Sequence, residues 1–181
     1  MTKYNPVQVR EDLLNAVGQL LLSVGIAELS VQKIAEHAGV TKGALFHHFK
    51  NKDELLQAFF QQILDTFEAD ISLFLQDVEN PNYADFLTAY TRASFHRLDF
   101  SRDSVVWVLQ YLSYQDYKWR WQDWLNQSSQ KKIALGEPTV KQLVLRCAVD
   151  GLWLNLTLDS FSTEQTLALQ NEILHEIAQT A

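Results

Sequence analysis

Cysteine and proline are scarce in this chain of 181 residues. Cys147 is its one cysteine, so no disulfide can form within the chain and a reducing, intracellular setting fits best. The longest apolar runs are a few residues, far short of the roughly 20 that span a bilayer. The amino terminus also lacks the basic start and apolar stretch of a signal peptide. We therefore expect a cytoplasmic protein without a membrane partner.

An excess of positive charge is also missing. The net charge is −7, which at first argues against nucleic acid as a partner. Residues 1–60, however, carry six Lys or Arg against six Asp or Glu, so the whole negative excess falls in residues 61–181. A neutral amino-terminal part with local basic spots is compatible with DNA binding at one end of the molecule.

Catalytic and metal-binding motifs are absent as well. The chain has no glycine-rich phosphate loop, no Gly-x-Ser-x-Gly and no zinc-type histidine spacing. The adjacent His47 and His48 would point about 100° apart on a helix, so they cannot readily share a metal ion. Cys147 lies in an apolar stripe, and the acids Asp99, Asp103 and Asp150 are scattered. We expect a protein that is not an enzyme and holds neither cofactor nor metal.

Helical periodicity runs through the chain, and no convincing strand alternation interrupts it. The pattern predicts an all-α fold of about nine helices. Their expected ranges are 6–25, 31–38, 42–48, 51–78, 83–97, 101–115, 117–134, 138–159 and 163–179. A small amino-terminal domain of three helices should precede the helix that starts near residue 51 and joins it to the larger remainder.

Residues 29–56, "LSVQKIAEHAGVTKGALFHHFKNKDELL", contain three helix starts within a short distance. Ser30, Thr41 and Asn51 are each placed to cap a helix, and Glu54 can complete a capping box with Asn51. Gly39 permits a positive-φ turn between the first two helices. Two short helices joined by a tight turn with glycine predict a helix-turn-helix.

The second helix of such a motif enters the major groove with its first residues. Here these residues are Lys42, Gly43 and Ala44, which suit base edges and a close backbone approach, while Leu45 and Phe49 should anchor the opposite side. The same composition also fits an ordinary helical hairpin with surface lysine and histidine. Spacing alone leaves these two interpretations open.

The segments "IAEHAGVTKGALFHHF" and "NKDELL", preceded by "LLNAVGQLLLSVG", resemble the DNA-binding signature of the tetracycline-repressor (TetR) family of bacterial regulators. The resemblance covers about the first 60 residues. It implies a DNA-binding domain over residues 1–50 and a helical effector-binding and dimerisation domain over residues 51–181. It implies base contacts from Lys42, Gly43, Ala44 and His47, and phosphate contacts from Ser30, Thr41, His48 and Lys52. Many relatives carry tyrosine where this chain has Phe46, whose ring cannot donate a hydrogen bond to a phosphate.

Aromatic residues are concentrated in the middle of the chain, where residues 107–124 hold four of the five tryptophans. Large rings with polar tips suit a ligand pocket, and they can also hold a cation. The candidate pocket residues, with two from the preceding helix end, are Phe95, His96, Trp107, Tyr111, Tyr114, Trp121 and Trp124. The alternative interpretation is that these stripes are plain core.

The last two predicted helices carry apolar stripes that can pair two copies of the chain. The candidate dimer residues are Val144, Cys147, Gly151, Asn155, Leu169, Ile173 and Ile177. The family resemblance implies a four-helix bundle, two helices from each subunit. Alternatively, both stripes are buried within one subunit.

Together these observations predict a homodimeric repressor that binds a double-stranded DNA operator. A small hydrophobic, aromatic or cationic effector would release it, because the ligand favours an arrangement of the two DNA-binding domains that misfits the groove period. The alternative is a DNA-binding regulator whose carboxy-terminal domain responds to a protein partner.

Overall fold

Every regular element in the described part of the chain is helical. The computed structural model describes residues 5–113, 123–124 and 135–181. Its helices are α1 (Pro6–Ser23), α2 (Val31–His37), α3 (Lys42–His48), α4 (Lys52–Leu75), α5 (Tyr83–Phe95), α6 (Leu98–Ser113), α7 (Val140–Leu154) and α8 (Thr163–Ala178). Single 3-10 turns occupy Ile26–Glu28 and Asn155–Thr157. The all-α prediction is confirmed, and the helix predicted over 117–134 lies outside the described residues except for 123–124.

The helix ends follow local capping chemistry. Asn5 caps α1 by accepting a hydrogen bond from the Val7 N–H at 3.2 Å, and Pro6 occupies the first helical position. The helix stops just before Gly25, whose φ of 78° few other residues adopt at low cost. Ser162 caps α8 and accepts from the Gln165 N–H. The observed ends lie within two residues of the predicted ranges 6–25 and 163–179, because each end depends on residues close in sequence.

The chain divides into two compact units, and the first comprises residues 1–64 with 106–115. Its core is built from fully buried leucine, isoleucine and valine side chains on α1 to α4. Residues with no exposed surface are Leu13, Val17, Ile34, Leu45 and Leu55. Burial of each such side chain stabilises the unit by about 1.5–3 kcal/mol. The three helices α1, α2 and α3 therefore fold against the first half of α4.

The last turns of α6 also belong to this first unit. The Trp107 indole N–H donates to the Gly18 carbonyl at 2.9 Å, and its ring meets Phe59 edge-on at 5.2 Å. A Cβ at Gly18 would lie 3.2 Å from the Phe59 ring, so glycine permits this close approach. Gln110 donates to the Leu21 carbonyl at 2.8 Å, so α6 satisfies backbone groups near the end of α1.

The second unit comprises residues 65–105 and 116–181, and α5 is its central helix. Ten of the thirteen residues of α5 are buried, as expected for a helix enclosed on most sides. The start of α7 pairs with the end of α8, since Lys141 forms an ion pair with Glu176 at 2.7 Å and Gln142 reaches Thr180. These two helices therefore run antiparallel. Among the described helices, none combines the length and apolar character that a bilayer span requires.

Candidate functional site

The α2–turn–α3 segment is held by two hydroxyl caps and one glycine. Ser30 accepts from the Lys33 N–H at 3.2 Å, and Thr41 accepts from the Ala44 N–H at 3.1 Å. Gly39 has φ of 67°, which places the turn in the left-handed region between the helices. The predicted helix-turn-helix is therefore confirmed in its local geometry.

One side of α3 is fixed in the core of the first unit. Leu45 has no exposed surface and Phe49, directly after the helix, is 3% exposed. The Arg10 guanidinium lies 5.4 Å from the centroid of the Phe49 ring, so α1 also contacts this anchor. The orientation predicted for Leu45 and Phe49 is confirmed, and it fixes which side of α3 faces outward.

The opposite side, which we call the exposed face of α3, consists of Lys42, Gly43, Phe46 and His47. All four are exposed, and Phe46 keeps 51% of its surface. The Phe46 ring is therefore accessible to a partner of this face. Ala44 and His48 are half-buried at the border of this face.

No contact among the described residues requires glycine at position 43. Among the described residues, the atom nearest to an added Cβ would be the Thr41 hydroxyl oxygen at 3.8 Å, an ordinary contact distance. The backbone there is helical, and glycine in a helix costs about 0.5–1 kcal/mol relative to alanine. The small residue therefore points to a partner outside the chain that approaches the backbone closely.

Lys52 lies at the first position of α4, next to this face. Its ammonium donates to the Leu29 carbonyl at 3.2 Å, and an ammonium has three donors in all. Asn51 caps α4 by accepting from the Glu54 N–H at 2.8 Å. The Glu54 carboxylate in turn accepts from the Lys50 N–H at 2.7 Å, whereas in a capping box it would accept from the Asn51 N–H.

The charge on and beside the exposed face is suited to an anionic partner. Lys42 and Lys50 are exposed, and the two histidine rings of α3 pack edge to face at 5.4 Å between their centroids. Residues 5–113, 123–124 and 135–181 contain no group of three His, Cys, Asp or Glu side chains that could hold a metal ion.

The residues predicted for an effector pocket divide between the two units. Trp107 and Tyr111 belong to the first unit, where Tyr111 is 3% exposed and stacks on Phe60 at 3.9 Å. The Tyr111 ring is therefore part of the core of that unit, as in the alternative interpretation of the aromatic stripe, whereas Trp107 is half-buried.

Phe95, His96 and Trp124 belong to the second unit. Phe95 and Trp124 are buried, and Trp124 packs on Phe67 at 5.5 Å. His96 is exposed and meets Phe74 edge-on at 5.2 Å. Tyr114 and Trp121 lie outside the described residues.

Several residues predicted for the dimer face lie on the surface of a single chain. Val144 is 61% exposed, Leu169 is 39% exposed, and Cys147 is exposed as well. Gly151 has open space around it, because no described atom lies within 4 Å of an added Cβ. An open groove at the start of α8 is lined by Phe161, Gln165, Ala168 and Leu169.

Two other predicted dimer residues serve the fold of one chain. Ile177 is fully buried in the second unit, so it is a core residue rather than a surface residue. α8 is apolar on more than one side, and its stripe alone did not distinguish these sides. The Asn155 amide donates to the Gly151 carbonyl at 2.8 Å and closes the end of α7, while Ile173 is half-buried.

A buried polar cluster in the second unit was missed by sequence reasoning. The Tyr90 hydroxyl donates to a carboxylate oxygen of Asp150 at 2.6 Å, and the charge of Arg146 acts on both groups. Burial raises the pKa of Asp150 above its ordinary value, and it raises the pKa of Tyr90 as well. The available signal was an Arg and an Asp four residues apart in the part of α7 after Gln142, where they are the only charged residues.

Family models match both parts of the chain. Residues 13–59 match the model described as "Bacterial regulatory proteins, tetR family". Residues 84–178 match the model described as "Tetracyclin repressor-like, C-terminal domain". The first match includes the whole α2–turn–α3 segment, and the second alone spans more than half of the chain.

Curated relatives and solved structures agree with these matches. The chain is 28% identical over 105 residues to the HTH-type transcriptional repressor KstR2 of Mycolicibacterium smegmatis, a match that covers 58% of this chain and 50% of that protein. It is 27% identical over 157 residues to the HTH-type transcriptional regulator BetI 2 of Chromohalobacter salexigens, covering 80% and 75%. A TetR-family regulator structure from Rhodococcus sp. superposes with a TM-score of 0.68 at 21% identity, covering 94% and 97%, which shows a shared fold.

Proposed function

Since the chain belongs to the tetracycline-repressor family of transcriptional regulators, we propose that it is a homodimeric repressor that a small-molecule effector releases from its DNA operator. In this proposal residues 1–50 form the DNA-binding domain. Residues 51–181 form the effector-binding and dimerisation domain, and the protein acts in the cytoplasm.

The exposed face of α3 is the observation that carries the proposal. It combines a lysine, a histidine, an exposed aromatic ring and a glycine that no contact among the described residues requires. A duplex major groove admits a helix of this kind, and glycine lets the helix backbone approach the bases. We assign base contacts to Lys42, Gly43, Ala44 and His47.

Phosphate contacts are assigned to side chains at the border of this face. The hydroxyls of Ser30 and Thr41 accept backbone hydrogen bonds, and each retains a hydrogen that can be donated to a phosphate oxygen. The ring N–H of His48 and the ammonium of Lys52 are assigned as further donors to phosphate oxygens. Phe46 makes an apolar contact with the sugar or with a thymine methyl group.

Pairing of two copies is assigned to the outer surface of α7 and α8. Val144, Cys147 and Leu169 expose apolar surface there, and Gly151 allows a close approach between helices. A two-fold dimer would place two copies of α3 in successive major grooves, about 34–36 Å apart.

Release by an effector requires different affinities for two arrangements of the dimer. A ligand that binds both arrangements equally would change nothing, whereas a tenfold preference contributes about 1.4 kcal/mol of coupling. A protein partner of the second unit is the competing proposal. It is supported by the exposed apolar residues Leu158 and Phe161, which are 69% and 41% exposed.

Binding of the purified protein to the DNA that flanks its own gene tests the central proposal. We expect saturable binding with a stoichiometry of one dimer for each half-site pair, and a binding constant that falls as salt rises. A ligand screen for release then follows, and calorimetry with and without the DNA measures the coupling. Binding with no preference over random DNA of equal length would contradict an operator function.

A further inference from the structure

A cluster of polar side chains between α5 and α7 contains buried hydrogen-bond donors that have no acceptor among the described residues. Tyr90 is 2% exposed and donates to Asp150, which lies one helical turn beyond Arg146 on α7. Tyr83 lies two turns before Tyr90 on the same side of α5. Asp150, Arg146 and Tyr83 all lie close enough to the Tyr90 hydroxyl to affect its pKa. The four side chains therefore form one neighbourhood inside the second unit.

Two donors in this neighbourhood have no hydrogen-bond partner among the described residues. They are the hydroxyl of Tyr83, a residue 6% exposed, and the Nε of Arg146, an atom with essentially no exposed surface. More than about 90% of buried polar groups in folded proteins are paired. Two unpaired donors beside a paired Tyr90–Asp150 bond indicate that the cluster lacks an acceptor, which a molecule from outside the chain can supply.

The aromatic rings around the cluster indicate the chemical character of the molecule that would carry this acceptor. The Phe67 ring meets Tyr90 edge-on at 5.3 Å, and Phe86 lies 5.8 Å from Tyr83 and 6.0 Å from Tyr90 between ring centroids. These rings offer apolar surface on the sides of the cluster. The ligand would therefore be apolar except for the oxygen that accepts from Tyr83 and Arg146.

The charges of the cluster favour a neutral oxygen. Arg146 and Asp150 carry opposite charges one helical turn apart, so no excess positive charge remains to balance a buried anion. A ligand carboxylate would also be repelled by Asp150. We propose that Tyr83, Tyr90, Arg146 and Asp150 form the polar end of a ligand site that takes a small, mostly apolar molecule through a neutral carbonyl oxygen. The identification of this molecule with the effector rests on the proposed function, whereas the site itself does not.

Three probes of one shape test the ligand class on the full chain. They are 2-acetylnaphthalene, 2-ethylnaphthalene, which lacks the oxygen, and 2-naphthoate, which carries a charge. Calorimetry or tryptophan fluorescence should show that the ketone binds about tenfold more tightly than the hydrocarbon, the contribution of one added hydrogen-bonded group. The carboxylate should bind no more tightly than the ketone.

Tyr83→Phe and Tyr90→Phe make the same chemical change seven residues apart on one helix. Tyr83→Phe should reduce the ketone's advantage to less than about threefold and leave the melting temperature of the ligand-free protein unchanged or higher, because it removes an unpaired hydroxyl. Tyr90→Phe should lower that melting temperature, because it breaks the bond to Asp150.

Several results would overturn the site. They are absent ketone binding, equal binding of ketone and hydrocarbon, or tighter binding of the carboxylate than of the ketone. A preference for the ketone over the hydrocarbon that persists in Tyr83→Phe would also overturn it. A ligand-free Tyr83→Phe as destabilised as Tyr90→Phe would show that this hydroxyl is already paired, and would overturn it too.

DNA binding, measured in parallel, separates this inference from the proposed function. Ketone binding that depends on Tyr83 but leaves DNA affinity unchanged would refute release by this effector and leave the site intact. Specific DNA binding without any ketone binding would refute the site and leave the DNA-binding proposal intact.

Discussion

Substitution of Gly43 by alanine should have opposite effects on the stability of the protein and on its affinity for DNA. A methyl group at this position would meet no described atom closer than the Thr41 hydroxyl at 3.8 Å, so it costs nothing in packing. Alanine in a helix is more stable than glycine by about 0.5–1 kcal/mol. We therefore expect Gly43→Ala to raise the melting temperature by about 1–4 °C.

The same methyl group should weaken DNA binding. It would project from the exposed face of α3 into the space that the duplex must occupy, and we expect a loss of about tenfold in operator affinity, equivalent to about 1.4 kcal/mol. Thermal denaturation followed by circular dichroism measures the first effect, and fluorescence anisotropy with a labelled duplex measures the second. The two effects have opposite signs, so a general loss of folded protein cannot imitate them.

Gly39→Ala is the matched control for the stability effect. An added Cβ there also meets no described atom within 4 Å, but φ is 67°, where alanine is strained by about 1–2 kcal/mol. We expect this variant to be destabilised. A destabilised Gly43→Ala would refute the helix argument, and a stabilised Gly43→Ala with unchanged operator affinity would show that no duplex approaches this backbone.

Three further predictions concern charge, pH and pairing. Lys42→Ala should relax base preference at one operator position by about 1–3 kcal/mol. Lys52→Ala should instead weaken binding to all sequences alike, lower the salt slope of binding by about one unit, and cost about 1 kcal/mol of stability because it loses the bond to Leu29. Identical behaviour of the two variants in a binding series over sequence and salt would contradict these roles. Because burial raises the pKa of Asp150 above its ordinary 3.8, the folded protein retains a proton that the unfolded chain releases, so its stability should fall as pH rises from about 4 through the raised pKa and then level off. Urea denaturation between about pH 4 and pH 7 should show that Asp150→Asn removes this fall, and equal pH profiles would refute the assignment. Val144→Asp, at a position 61% exposed in one chain, should yield folded monomers in sedimentation experiments with helix content retained; a dimer of undiminished affinity would exclude this surface.

The helix-turn-helix was predictable because its determinants are local. Ser30 and Thr41 each bond a backbone N–H three residues away, and Gly39 fixes the turn between them. The buried side of α3 followed from Leu45 and Phe49, which lie four residues apart on one helix. Within this segment, sequence spacing determines three-dimensional position almost completely.

Contacts between distant segments were not predictable in the same way. The Tyr90–Asp150 bond joins residues that are 60 positions apart, and neither residue carries a motif. The aromatic stripe left a ligand pocket and plain core open as interpretations, and its residues divide between the units, with Trp107 in the first and Trp124 in the second. Periodicity shows that a helix has an apolar side, yet it does not show which neighbour covers that side.

The bonds from the end of α6 to the end of α1 also affect the order in which the chain can fold during synthesis. Gln110 accepts from the Ile26 N–H at 2.7 Å and donates to the Leu21 carbonyl, across 84 and 89 positions of sequence. At translation rates of about 5–20 residues per second, residues 106–115 follow residue 64 by about 2–10 seconds. During that interval the nascent amino-terminal helices lack the side chains that complete their core. A fragment that stops after α4 would remain in this incomplete state, so the core that holds the α2–turn–α3 segment depends on residues made much later.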